Sequence, residues 1–407
     1  MHPILLNDID LDCFRTLCEN HKRSESEGTT KQQQNQIKGV SRKRNKGENK
    51  SGGVAIDYGG RECLIVCDSM TNLIKEIESG RYELPTTLMP TLLGGGSDNV
   101  EKRRLDVLVG GMPCQSFSHA GLRKGIEDER GKLLLQFADL IQFLFPRVFV
   151  VENVRGLMTH EEGRTLKEVL KVLSMKGEYI VHHKLLDAWD YGVPQKRERI
   201  FIVGVHHSVE DAWGYKFPEK LLYRPTLRES IGAPSNPVPA SEGMRYSENK
   251  RLIFEKIPMG GCWVDLPTEE EKKAYMGKSY YATGGRRGVL RRLSLDKPSP
   301  TLLCNPQAKQ SELCHPTETR PLTIREYARI QTFPDEHTFC GSMASQYRQI
   351  GNAVPVNLAY HVGLSIVEFL NKKDIKVRCT TSCDAHLDKR TSTSSSSTST
   401  SSSSTSS

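Results

Sequence analysis

The feature that most constrains this chain is an alternation between residues 105 and 205 of short apolar runs with longer stretches of helical period. LDVLVGG (105–111), RVFVVENV (147–154), YIVHHKLLDA (179–188) and RIFIVGV (199–205) are short and rich in β-branched residues, as strands are. Between them, KLLLQFADLIQFLF (132–145) puts Leu133, Leu134, Phe137, Leu140, Ile141 and Leu144 on one helical stripe. RTLKEVLKVLSM (164–175) also reads as helix. Strands alternating with helices imply an α/β fold with a largely parallel sheet, and such sheets collect ligands at the carboxyl ends of their strands. Upstream, PILLNDID (3–10) and CLIVCD (63–68) read as strands, the first followed by a short helix, LDCFRTLCENH. Asp8, Asp68, Cys114 and Glu152 all fall at expected strand ends.

The rest of the chain is less regular. Residues 22–55 are polar and basic, and are expected to be a disordered insertion. Its SRKRNKGENK suits a solvated loop, a nuclear signal or a phosphate-contacting patch. From 206 to 318, Pro, Gly and charge are frequent and periodicity is poor, which suggests a smaller irregular domain. Residues 319–372 then return to the first domain, and from Thr391 the chain is only Ser and Thr, within an expected disordered tail at 373–407. The net charge of +8 favours a polyanionic partner. Eleven scattered cysteines suit a reducing compartment; Cys63/Cys67 and Cys379/Cys383 lack companion ligands, so no metal is expected. No run of about 18 apolar residues suggests a membrane span, and the N-terminus does not read as a secretory signal.

Three segments can carry chemistry. Cys114, in GGMPCQSFS after a strand, sits in a turn bounded by glycine and proline, where a thiolate would be exposed and held. Alone, it reads better as a small buried hydrophobe. Glu152, in VVENV, is a carboxylate on an apolar strand, costly unless paired or functional. Burial would raise its pKa toward that of a proton donor. Arg197 and Arg199 in QKRER, spaced i,i+2 before a strand, can face one way and bind a base or phosphate, although such charges are usually just solvated.

In this order, PCQSFS, ENV, QKRER and QIGNAVP resemble the motif series of the cytosine-5 methyltransferases, from about Pro3 to Leu370 apart from the basic insertion. The resemblance implies an S-adenosylmethionine-dependent, Rossmann-like sheet with a smaller target-recognition domain. By similarity, Cys114 attacks carbon 6 of cytosine, Glu152 holds or protonates N3, Arg199 bonds O2 and Arg197 lies nearby. Met112, Gln115 and Asn153 would frame the base. The implied cofactor is S-adenosylmethionine, with Asp8 on the ribose, Ile9 against the adenine, Asp68 on the adenine amino group, and Pro113, Asn352 and Val354 lining the methionine side. Helix or turn caps are the lesser alternative for Asp8 and Asp68. The implied partner is duplex DNA, with no membrane and a monomeric chain. Because the target atom is unreachable in a duplex, the family flips the base out.

The recognition region would be residues 206–318. In its TGGRRGVLRRL, Arg286 or Arg287 could read guanine and Arg291 or Arg292 contact phosphate, a solvent role being equally open. LRRLSLDKPSPTLLCNP and CHPTETRPLT look like the modification enzymes of restriction systems, which suggests a short site containing CG. The Ser/Thr tail and basic insertion look eukaryotic, which implies a nucleus, or otherwise cytoplasm. One departure matters: the family's first strand and glycine-rich turn are missing ahead of LLNDID, and GVAIDYGG (53–60) comes in the wrong order to replace them. An incomplete gene product is the favoured reading, with a strand from another chain or a degenerate, non-catalytic DNA-binding relic as alternatives. An RNA methyltransferase of the same family is a further alternative, set against by the sizeable recognition region.

Overall fold

The computed structural model describes residues 5–7, 12–13, 16–17, 19–20, 52–57, 62–67, 75, 105–111, 131–281, 288–308 and 312–371. Its centre is a four-stranded sheet of β4 (Val107–Gly111), β5 (Val148–Val154), β6 (Tyr179–Asp187) and β7 (Glu198–His206), in the order β4-β5-β7-β6. β4 and β5 are parallel, while β7 is inserted antiparallel to both β5 and β6. Three strands therefore point one way, as expected, but two of the three ladders are antiparallel. The connections explain this. Helix α1 (Gly131–Leu144) precedes β5, and α2 (Arg164–Leu173) lies between β5 and β6. Only a short 3-10 turn at Ala188–Tyr191 joins β6 to β7, too little chain for a parallel crossover.

Alternating side chains split the sheet's core in two. Val148, Val150, Leu186, Phe201, Val203 and Val205 pack on one face with Leu358, Val362 and Ile366. Phe149, Val151, Ile200 and Ile202 pack on the other with Leu134, Phe137 and Ile141 of α1 and Leu166, Val169 and Leu173 of α2. The α1 stripe read from the sequence is the buried one where its side chains are described: Leu134, Phe137, Leu140, Ile141 and Leu144. Phe137 lies so close to β4 that a Cβ on Gly110 would meet its ring at 2.3 Å.

A separate three-stranded sheet has the order β1-β3-β2, with β1 at Leu5–Asn7, β2 at Gly52–Asp57 and β3 at Glu62–Cys67. β1 is parallel to β3, and β2 is antiparallel to it on the opposite edge. Residues 52–55 are therefore strand and not part of a disordered insertion; β3 supplies the ladder that pattern alone does not reveal. No described strand pairs with the outer edge of β4, where Val109 is 70% exposed.

After β7 the chain stays on the sheet: Val209, Ala212 and Tyr215 join its first cluster, so the irregular region begins later than residue 206. That region holds helices α3 (Glu248–Glu255) and α4 (Glu269–Met276), and a two-residue pairing of β8 (Arg291–Arg292) with β9 (Leu313–Cys314). Helices α5 (Ile324–Ile330), α6 (Met343–Asn352) and α7 (Val356–Asn371) follow. A third cluster mixes Leu227, Leu293, Leu302 and Leu313 with Tyr327, Ile330, Tyr347 and Ile350, so residues on both sides of 319 share one core. The stretch Met343–Asn371 is long and apolar enough to cross a membrane by composition. It is nevertheless split at Ala353–Pro355, and α7 buries Leu358, Val362 and Ile366 against the sheet.

Candidate active site

The sheet register assembles the site. Gly111, the last residue of β4, lies opposite Glu152 of β5, and Val154 lies opposite Arg199 of β7. Glu152 and Val154 share a face, so Glu152 and Arg199 are diagonal neighbours. Arg199 Nε is 2.9 Å from Glu152 Oε1, with the side chains 12% and 16% exposed. Glu152 is within β5, two residues before its end. Burial pushes its carboxyl above the usual range, and Arg199 and Arg197 pull back against that shift. The site thus holds a carboxyl that can keep a proton, beside a fixed cation.

Asn153 points to the other face and is nearly fully buried; its Oδ1 accepts from Val154 N at 2.8 Å, and its Nδ2 has no hydrogen-bond partner among the described residues.

Arg197 has a different use from its neighbour. It is 1% exposed, and its guanidinium donates to two carbonyls, Leu302 O at 3.0 Å and Gly351 O at 2.7 Å. The two arginines are used differently: Arg199 pairs with Glu152, while Arg197 holds the Leu302 and Gly351 carbonyls and still acts electrostatically on Glu152. Gly351 receives that clamp where backbone packs closely on backbone, since a Cβ there would meet Leu303 backbone at 2.7 Å. Next to it, Asn352 is exposed and its Oδ1 accepts from Cys304 Sγ at 2.9 Å. Val354 packs on the first sheet cluster. The turn thus offers a carboxamide beside an apolar side chain, a fit for the amino-acid end of a cofactor such as S-adenosylmethionine.

Asp8, Ile9, Asp68, Met112, Pro113, Cys114, Gln115, Arg286 and Arg287 lie outside the described residues. β4 still ends beside Glu152, three residues before Cys114. One recognition-region expectation fails. Arg292 is 6% exposed and donates to the carbonyls of Phe254, Ile257, His315 and Glu318 and to Thr319 Oγ1, so it holds the fold instead of phosphate. Sequence reasoning also missed Gln195 and Gln331, both fully buried and bonded to each other at 2.8 Å. Their only signal was position, inside QKRER and IQTFPD.

Among the described residues, Glu178, His206 and His207 could gather round a metal ion, their ligand atoms lying within 4.8 Å of one another. One ring nitrogen of each histidine already serves the protein: Ser208 N donates to His206 Nδ1 at 3.1 Å, and His207 Nδ1 is 3.1 Å from Glu178 O. This group lies at the end of β7 opposite Arg199.

The family model for C-5 cytosine-specific DNA methylase matches residues 96–368. Type II methyltransferase M.Sau96I of Staphylococcus aureus is 48% identical over 281 residues, 68% of this chain and 64% of that protein. Type II methyltransferase M.Eco47II of Escherichia coli is 48% identical over 274 residues, 67% of this chain and 66% of that one. The chain spans just under two thirds of the length of these relatives. Among solved structures, a prophage-encoded Escherichia coli protein described as a DNA modification methyltransferase superposes with a TM-score of 0.57 at 19% identity. The superposition covers 91% of this chain and 92% of that one, which supports the α/β methyltransferase fold. The relatives overturn the nuclear expectation: at 48% identity they come from bacteria, which have no nucleus, so low-complexity tails and basic insertions are poor evidence of a eukaryotic compartment.

Proposed function

Because the chain belongs to the C-5 cytosine-specific DNA methylase family, we propose that it methylates carbon 5 of cytosine in duplex DNA, with the Glu152–Arg199 pair holding the ring. One observation carries this reading: a largely buried ion pair, a carboxyl with a raised pKa bonded to an arginine, at the end of the sheet where β4 ends beside Glu152.

Carbon 5 of cytosine is a weak nucleophile. The Cys114 thiolate adds to carbon 6, and the displaced electron pair is taken up toward N3. Glu152 stabilises that adduct by holding a proton on N3, while Arg199 donates to O2 and keeps Glu152 oriented. When bound, S-adenosylmethionine supplies the electrophilic methyl group. Asn352 and Val354 would hold its methionine side, with Pro113 near by and Asp8, Ile9 and Asp68 on the nucleoside. Once carbon 5 carries the methyl, loss of its proton to a base and elimination of Cys114 restore the aromatic ring. Met112 and Gln115 frame the base, which must leave the helix to reach them, while Asn153 lies on the face of β5 opposite to Glu152. Arg286 and Arg287 are the proposed readers of the target. Arg197 is a positioning residue in this scheme.

Transfer of a labelled methyl group from S-adenosylmethionine to mixed-sequence duplex DNA tests the proposal. Label at carbon 5 of cytosine is expected with the full chain. Cys114→Ala should abolish it while DNA binding persists, and near-normal turnover by that variant would refute the nucleophile. Glu152→Gln should slow transfer by about 10²- to 10⁴-fold, the usual range for a positioned proton donor. Since the step needs the protonated carboxyl, the wild-type rate should fall as pH rises through the raised pKa of Glu152.

A further inference from the structure

The turn that carries Asn352 and Val354 is held from behind by side chains that take no part in the chemistry above. Helix α6 ends at Asn352, and the last carbonyls of a helix have no partners within it. Gln331, which follows α5, supplies them. Its Nε2 donates to Ile350 O at 2.6 Å and to Ala353 O at 3.2 Å, and its backbone oxygen accepts from Val356 N at 3.0 Å. Arg197 takes the carbonyl between them, Gly351 O.

The other end of the Gln331 amide faces the substrate strand. Its Oε1 accepts from Gln195 Nε2 at 2.8 Å, and Gln195 Oε1 accepts from Leu302 N at 2.9 Å. Backbone fixes both ends of this relay: two carbonyls demand the Gln331 amino group, and an N–H demands the Gln195 oxygen. Neither amide can flip without stranding a buried polar group. Both glutamines are fully buried. Gln195 lies four residues before Arg199, and Arg197 stands between them and also holds Leu302 O. One satisfied network therefore ties the Arg199 strand, the 302–304 segment and the 350–354 turn together.

We propose that Gln331 is a positioning residue for the methyl donor: it sets the Asn352–Val354 turn in register with the strand that bears Arg199. This rests on the functional reading above. It predicts a selective loss. Without the Gln331 amide, the Ile350 and Ala353 carbonyls lose a partner on the donor side and Gln195 Nε2 loses its acceptor, whereas Glu152, Arg199 and the recognition region keep theirs.

The test uses the full chain with Gln331→Met, which keeps the volume and removes the polar atoms, and with Gln195→Met, which removes the orienting partner and the acceptor of Leu302 N but leaves the Gln331 bonds to the turn in place. S-adenosylmethionine binding is measured by calorimetry without DNA, duplex binding by fluorescence anisotropy, and methyl transfer at varied donor concentration. For Gln331→Met, donor affinity should fall about tenfold and KM for the donor should rise to match. kcat at saturating donor should stay within about threefold, and duplex affinity should not change. Gln195→Met should shift the donor KM in the same direction by less, and this variant carries the test alone if Gln331→Met does not fold. An unchanged donor KM, or equal losses of donor and duplex binding, would overturn the positioning role. A wild-type chain that binds no S-adenosylmethionine would overturn both this role and the functional reading. A wild-type chain that binds and transfers, with variants that behave like it, would overturn this role only.

Discussion

The sheet and the recognition region solve the same packing problem with different materials. The sheet, from 131 to 206, is closed by apolar side chains on alternating faces, with Phe149, Ile200 and Ile202 fully buried. At the site it carries the Glu152–Arg199 ion pair. The region around residues 246–320 has a smaller apolar cluster, centred on Phe254, Leu290 and Cys314. It is knit by buried charge: Arg292 on four carbonyls, and Glu312 between Lys250 and Tyr275. Where strands supply backbone partners, side chains can be apolar. Where the chain is irregular, carbonyls point inward and an arginine with five donors is an economical way to satisfy them.

That contrast can be broken deliberately. The largest effect should come from Arg292→Met, which orphans four carbonyls at about 1–3 kcal/mol each before relaxation. A loss of about 5 kcal/mol or more is expected, seen as early protease cleavage between residues 246 and 320 while the sheet stays folded. Simultaneous melting of both parts would mean that the two regions are one cooperative unit. Phe149→Ala should cost about 4 kcal/mol through lost contact and cavity formation, lowering the denaturation midpoint of the sheet. A cost below about 1 kcal/mol would show that the apolar faces are loosely packed.

A smaller effect sharpens the comparison by pH. His337, packed against Phe333 and Phe339 and under the influence of Arg325, has its pKa pushed down to about 4, mainly by burial. The unfolded chain takes up this proton near pH 6.5, but the folded chain resists until about 4. Stability should therefore fall as pH drops across that window, by at most about 3 kcal/mol. His337→Phe should flatten the loss, and an unchanged acid profile would exonerate His337. The smallest effect belongs to the surface: Arg251→Ala breaks exposed pairs with Glu248 and Glu255 and should leave Tm unchanged in 0.15 M salt.

Much of this was legible in the chain. The short apolar, β-branched runs and the α1 stripe located the central strands and helix, because burial on both faces of a sheet or on one helix stripe leaves a local trace. Glu152 stood out because a carboxylate within VVENV contradicts its own strand. Spacing alone could not tell Arg199 from Arg197 in QKRER, and only the family resemblance separated them, since which of two nearby arginines meets the carboxylate depends on where the strand begins. Arg292 misled for a similar reason: a basic, glycine-rich stretch looks solvent-facing unless the carbonyls it serves are known.

By itself, then, the sequence determined the local periods, the strands and helices they imply, and the ordered motif residues on which family membership rests. The tertiary structure decided the reversed β7, the strand at Gly52–Asp57 and the shared core across residue 319. It also decided the split roles of Arg197 and Arg199 and the relay through Gln195 and Gln331. The physical reason is common to all of these. Periodicity records whether a side chain is buried, whereas pairing partners, strand direction and hydrogen-bond acceptors belong to residues far away in the chain, as Gln195 and Gln331 are, 136 positions apart.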